Sequence, residues 1–285
     1  MTFSIVAVDP EKKDIGFAIA SCFWDSGQMG FVKAEKGAVV SQAQGNWDLI
    51  NIFFEKLDEN MTLEEIVEAF KRADESIENR QVGMVTFSGE TLAFTGGKVF
   101  NGFQRIGSNY ACQGNILVGP EVIDSMVESF EKSEGTLSER LYKSLQAGDD
   151  AGGDMRGKIS ARVCVVRNRG NPLIETVTDF RVEEHTEPVR EIGRLIQLRK
   201  NLLKTWELTQ SATKAEGVEK VAAIQSLEDF LSDKNDRLYL DFHESLAELH
   251  LKVGNRDKAI ERYKLYVKIS PNMLSILDEE IRRDI

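Results

Sequence analysis

Apolar positions fall in short strand-length blocks over the first two thirds of the chain and take on helical spacing after residue 188. Residues 3–8 and 15–21 are apolar runs joined by Asp9-Pro10-Glu11-Lys12-Lys13-Asp14, a turn-forming linker, so they predict a hairpin. A further strand region ends in Gly37-Ala38-Val39-Val40-Ser41-Gln42-Ala43. Helices are predicted over 47–57 and 63–74, the second announced by the capping box of Thr62 with Glu65. Strands return at 81–87, 91–95 and 110–118. Pro120 then opens one helix, while Thr136 with Glu139 caps another that Gly148 is expected to stop. Strands at 159–166 and 175–182 close this region.

Residues 189–270 contain no proline, and Ile192, Leu195, Ile196, Leu202, Leu203 and Trp206 recur at helical spacing, which predicts an all-helical stretch. The chain is therefore expected to divide into an α+β domain over 1–188 and a helical tail over 189–285. Both strand groups are too apolar to leave one face in water. Two antiparallel sheets packed face to face with helix pairs outside satisfy that demand, and a single open sheet with helices on one side is the competing layout.

Charge narrows the range of partners. The net charge is −11, and residues 1–185 hold 19 basic and 29 acidic residues, about −10 of it. That balance argues against a nucleic-acid footprint and suits a neutral or cationic ligand. No apolar run approaches the roughly 18 residues that span a bilayer, so no membrane partner is expected. No signal-like stretch precedes Phe3, which makes a cytoplasmic location the expectation. Cys22, Cys112 and Cys164 are spaced neither for disulfides nor for a metal. The three histidines, His185, His243 and His250, leave little room for His-dependent chemistry. No metal or organic cofactor is expected.

Thr2 follows the initiator methionine. If Met1 is removed, one residue carries both a nucleophilic hydroxyl and an α-amine, whose reference pKa of about 7.7–8 suits it to take the hydroxyl proton. Position alone favours a β-branched residue that merely starts a strand. The segments TFSIVAVDP, GAVVSQA, RQVGMV, AFTG, QGNILVGPEV, AGGDMRGKISA and RVEEHTEPV resemble, in order, the motifs of the family called domain of unknown function 1028, over residues 2–200. The resemblance implies an N-terminal-nucleophile hydrolase-like fold, a four-layer αββα sandwich, with Thr2 at the nucleophile position.

On that basis Thr2, Ser21 and Gln42 are the candidate catalytic residues, and Gln113, Asn115, Asp154 and Arg156 the candidate substrate-binding residues. Ser21 stands where related enzymes often carry an aspartate, and its hydroxyl equally suits a backbone bond at a strand end. Ser41-Gln42-Ala43 lies where backbone N–H groups can face an oxyanion. Gln113-Gly114-Asn115 places two amides inside an apolar run, where they need partners or a ligand. The glycine-rich Ala151–Gly157 segment lets backbone approach a ligand, and Lys33, Lys36 and Lys158 are candidate charges for tuning the amine. The expected substrate is a small amide, cyclic amide or peptide.

Residues 240–271 resemble one tetratricopeptide repeat, through Leu246, Gly254, Ala259, Tyr263 and Pro271, with Ala247 and His250 at places usually held by glycine and tyrosine. One repeat is too few for a free-standing solenoid, so the tail is expected to pack on the main domain or on a second subunit, and a protein partner or self-association into a homo-oligomer is the expected role. The alternative function is a non-catalytic ligand-binding or scaffold protein with a degenerate hydrolase pocket.

Overall fold

A computed structural model describes residues 2–171 and 174–285. The chain divides into two compact units, Met1–Ile196 and Gln197–Ile285. The first begins with β1 (Thr2–Asp9) and β2 (Asp14–Ser21), an antiparallel pair of strands buried along their whole length and joined by an exposed turn. There follow β3 (Gly30–Lys33), β4 (Gly37–Ala43), α1 (Trp47–Asp58) and α2 (Leu63–Ala73). β5 (Arg80–Thr86), β6 (Thr91–Thr95), β7 (Phe103–Gly107) and β8 (Tyr110–Asn115) come next. Then come α3 (Glu121–Lys132), α4 (Leu137–Asp150), β9 (Ser160–Val166) and β10 (Thr176–Val182). The fold is α+β, with a helical region at its C-terminal end.

The strands form two antiparallel sheets, one ordered β10-β9-β2-β1-β8-β7 and the other β3-β4-β5-β6, so the single-sheet layout does not occur. Period-two alternation sorts their side chains. Phe3, Ile5 and Ala7 of β1 pack with Ile123, Met126, Leu141 and Leu145 of α3 and α4. Val6 and Val8 turn the other way and join Ala38, Val40, Val85 and Ala93 of the smaller sheet. On that sheet's opposite face, Val39, Val82 and Met84 meet Leu49, Phe53, Ile66 and Phe70 of α1 and α2. Thr2 and Ser4 lie on the same side of β1 as Val6 and Val8. The strand's inward face is thus polar at one end and apolar at the other.

Both predicted capping boxes form, at Thr62 with Glu65 and at Thr136 with Glu139. Three expectations need correction. Gly148 does not stop its helix: it is buried inside α4, and a Cβ there would lie 2.6 Å from Met126 Cγ, so the glycine lets α3 and α4 approach. The strand expected over 110–118 ends at Asn115 because Ile116 turns into the left-handed region at φ 50°. β7 was not expected, because its residues are only half-buried or exposed at the sheet edge and show little apolar pattern.

The second unit is helical. α5 (Pro188–Lys214) runs across the boundary, and α6 (Gly217–Leu231), α7 (Leu240–Lys252), α8 (Arg256–Ile269) and α9 (Glu279–Asp284) follow. Ile224, Leu227, Leu231, Tyr239, Leu246 and Leu249 form one core cluster, and Ala247, Tyr263, Tyr266, Leu277 and Ile281 a second. After α8 a 3-10 stretch, Pro271–Ile276, leads into α9. Among the described residues, no helix is long and apolar enough to cross a membrane.

Candidate functional site

Strand register gathers the candidate residues at one edge of the paired sheets. Thr2 lies opposite Ser21 on one side and Asn115 on the other, and Ser21 lies opposite Ser160. Thr2 is buried, and its Oγ1 stands 3.1 Å from Ser21 Oγ. The Phe23 N–H donates to the same Ser21 oxygen at 3.1 Å, which fixes the hydroxyl against the turn that follows β2.

Behind Thr2 the two sheets are joined by amides rather than by apolar packing. Gln81 Oε1 accepts from Gln42 Nε2 at 2.8 Å and from Asn115 Nδ2 at 3.1 Å. Its Nε2 donates to Gly114 O at 2.9 Å, Thr95 Oγ1 at 3.0 Å and Phe103 O at 3.3 Å. Ser4 Oγ donates to Gln42 Oε1 and accepts from Gln113 Nε2, both at 2.6 Å. Gln42 Nε2 and Asn115 Nδ2 each also reach the Thr2 carbonyl oxygen at 3.5 Å. Ser4, Gln42, Gln81, Gln113 and Asn115 are all buried, so the bonds among them are made in a low-dielectric setting where leaving one unmade costs most. Gly83 makes room for this layer, since a Cβ there would lie 2.1 Å from Gln113 Oε1. Among the described residues, Asn115 Oδ1 is buried without a hydrogen-bond partner.

Three loops surround this edge. Asp154 is buried and binds two of them together: its Oδ2 accepts from Cys22 N at 3.2 Å, and its Oδ1 from Arg156 N at 2.8 Å. The Arg156 guanidinium stays half-exposed, 3.6 Å from Asp154 Oδ2. Ser160 Oγ donates to Phe23 O, holding the same turn. Beyond Asn115, Ile116 donates its N–H to Phe100 O at 2.7 Å, and its carbonyl accepts from Met155 N at 3.4 Å. A β-branched residue in the left-handed region costs on the order of 1–3 kcal/mol, which these bonds offset.

Other candidates are engaged elsewhere. Lys33 Nζ lies 4.2 Å from the Phe54 ring centroid, and Lys36 pairs with Asp58 at 2.5 Å. Lys158 pairs with Asp149 at 2.9 Å and Glu187 at 3.2 Å. Burial opposes charge on Lys158, but its bonds to these two carboxylates outweigh it and raise its pKa, while burial pushes Asp149 up. Near Ser41-Gln42-Ala43, the N–H groups of Gln44 and Asn46 are taken by Asn79 O and Ser41 Oγ. His185 Nδ1 accepts from Glu187 N at 2.9 Å. Cys112 and Cys164 are buried and their thiols are pushed up, Cys164 to about 12.

The sequence reading did not single out Ser4, Gln81, Gly83 or Ile116. Gln81 had a readable signal, as a third glutamine set in an apolar strand besides Gln42 and Gln113.

The profile of a family of unknown function, DUF1028, matches residues 2–192. A crystal structure of a DUF1028 protein from Silicibacter pomeroyi is similar to this chain with a TM-score of 0.63 and 26% identity, over 69% of this chain and 84% of that one. None of the curated proteins matches it.

Proposed function

This chain belongs to the family of unknown function DUF1028, and from the site itself we propose that it is an N-terminal-nucleophile amidohydrolase acting through Thr2 on a small amide, cyclic amide or peptide. The observation that carries the reading is the 3.1 Å contact between the Thr2 and Ser21 hydroxyls at the edge of the two sheets. Once Met1 is removed, the Thr2 α-amine takes the hydroxyl proton as Oγ1 attacks the carbonyl carbon. The C–N bond breaks, and the proton passes to the leaving amine. Water then cleaves the Thr2 ester, releasing the acid and restoring the hydroxyl. Ser21 orients the nucleophile, and the amides of Gln42, Gln113 and Asn115 form the layer behind it. Asp154 holds the loops, and Arg156 offers a cation to the substrate. The mechanism needs no cofactor.

The succession of α3 and α4, the larger sheet, the smaller sheet, then α1 and α2 supports assigning the first unit to the αββα hydrolase fold. In the second unit, α7 and α8 with buried Ala247 and Ala259 support one tetratricopeptide-like repeat. Such a repeat recruits a protein partner or a second copy of the chain, giving a cytoplasmic homo-oligomer.

A second reading, a binding protein that does not cut, is favoured by the serine at position 21 and by the partners that Lys33, Lys36 and Lys158 already have. Two measurements separate the readings. N-terminal sequencing with intact mass of the untagged protein reports whether Thr2 is the first residue. A panel of chromogenic amides then compares wild type with Thr2→Ala. A chain that begins at Thr2 and loses all turnover on substitution, with an unchanged circular-dichroism spectrum, supports the hydrolase. A retained Met1, or a fully active Thr2→Ala protein, sinks it.

A further inference from the structure

The three loops around Thr2 carry large apolar side chains in water. Phe23 is 51% exposed, Trp24 63%, Phe100 62% and Met155 54%, with Val118 beside them at 45%. The backbones of Phe23, Phe100 and Met155 are tied to the site through bonds already described. Phe23 N donates to the Ser21 oxygen that touches Thr2 Oγ1. Phe100 O and Met155 N both bond to Ile116, which follows the Asn115 paired with Thr2. Asn101 Nδ2 reaches Leu117 O at 3.3 Å and Met155 Sδ at 3.9 Å, joining the second and third loops. Val118 N donates to Gly153 O at 3.2 Å.

Single exposed apolar residues need no explanation, but several on separate loops around one point do. Phe23, Phe100, Val118 and Met155 each have a backbone group bonded into the segments at the ends of β2 and β8, and Trp24 follows Phe23 in the chain. Small-molecule sites have this composition: apolar walls with a few placed polar groups. The polar groups here are the Thr2 and Ser21 hydroxyls and the buried amide of Asn115.

We infer that the substrate carries an apolar arm, an alkyl or aromatic group next to the scissile carbonyl, which Phe23, Trp24, Phe100 and Met155 take up. This rests on the proposed role of Thr2 and adds the substrate class. Each methylene moved from water to the rim is worth about fourfold in the specificity ratio. An octyl arm held even in part should therefore outpace a short polar one by at least about tenfold.

The test uses the full chain and two β-lactones with the same ring, one with an octyl and one with a hydroxyethyl arm. Thr2 Oγ1 attacks the lactone carbonyl, the ring C–O bond breaks, and the released alkoxide takes the hydroxyl proton, so the protein gains the mass of the whole lactone. Intact mass against time gives each rate, peptide mapping places the adduct on Thr2, and Thr2→Ala should give none. The octyl lactone should react at least about tenfold faster. Phe23→Ser with Trp24→Ser should bring the ratio toward one, and Met155→Ser provides a second variant if that pair fails to fold. Equal rates on a labelled Thr2 overturn the apolar arm and leave the nucleophile standing. No adduct from either lactone on a chain that begins at Thr2 removes both. Self-association in sedimentation that Trp24→Ser abolishes assigns the patch to a second copy of the chain and overturns the inference.

Discussion

Replacing Gln81 by leucine tests whether the amide layer holds the two sheets together. The two side chains have similar volume, so the change removes hydrogen bonds without opening a large cavity. Gln42 Nε2 loses its 2.8 Å acceptor and keeps only contacts of 3.4 Å to Gln113 O and 3.5 Å to Thr2 O. Asn115 Nδ2 loses its 3.1 Å acceptor and keeps one contact at 3.5 Å. Gly114 O loses a donor at 2.9 Å in the same buried place. A buried polar group left unsatisfied costs about 1–3 kcal/mol. The two weakened amides and the carbonyl together, partly relieved by the remaining contacts, should cost about 3–5 kcal/mol. For a unit of this size each kcal/mol lowers Tm by about 2–4 °C. Calorimetry of the full chain should therefore show the transition of the first unit falling by about 6–20 °C, with that of the helical unit unmoved. A drop under about 2 °C would refute the reasoning, because it would mean that the amides find equivalent partners without Gln81.

Gly83→Ala puts a Cβ 2.1 Å from Gln113 Oε1 and should destabilise the first unit by about 1–3 kcal/mol, read by urea unfolding. Asp154→Ala removes the acceptor shared by Cys22 N and Arg156 N, so hydrogen exchange should quicken at those two amides while β1 stays protected. Burial lowers the pKa of His243 and His250 below the ordinary value of 6.5. The unfolded chain then binds more protons, so this stability is fully present above about pH 6.5 and is lost as pH falls through the lower folded values. Urea midpoints of the helical unit at pH 7.5 and 5 should show that loss. Replacing both histidines by glutamine should flatten it.

Much of the fold was legible because it rests on local signals. Thr62 with Glu65 and Thr136 with Glu139 announced their helices by a pattern that is complete within four residues. The buried hairpin showed itself as two apolar runs around a polar turn. What was missed depends on contacts far apart in sequence. Gly148 looks like a helix stop until Met126, 22 residues away, is seen against it. Ile116 reads as strand because Ile, Leu and Val follow one another there, yet its backbone is turned by bonds to Phe100 and Met155. At the site, Gln42, Gln113 and Asn115 stood out as polar residues in apolar strands. That Gln42 and Asn115 share one partner, Gln81, while Gln113 joins Gln42 through Ser4, follows only from how the two sheets meet.

The face of β1 that looks toward the other sheet is polar at Thr2 and Ser4 and apolar at Val6 and Val8. A purely apolar interior tolerates sliding, because one valine is much like another at the same place. Here a shift of one sheet by a single two-residue step would bring Val6 to the place where Ser4 meets Gln42 and strand the amides against a side chain with nothing to offer. The pair of sheets therefore has one alignment rather than several of similar energy. The polar end acts as a key for assembly, and it sits beside the one hydroxyl whose position the proposed chemistry depends on.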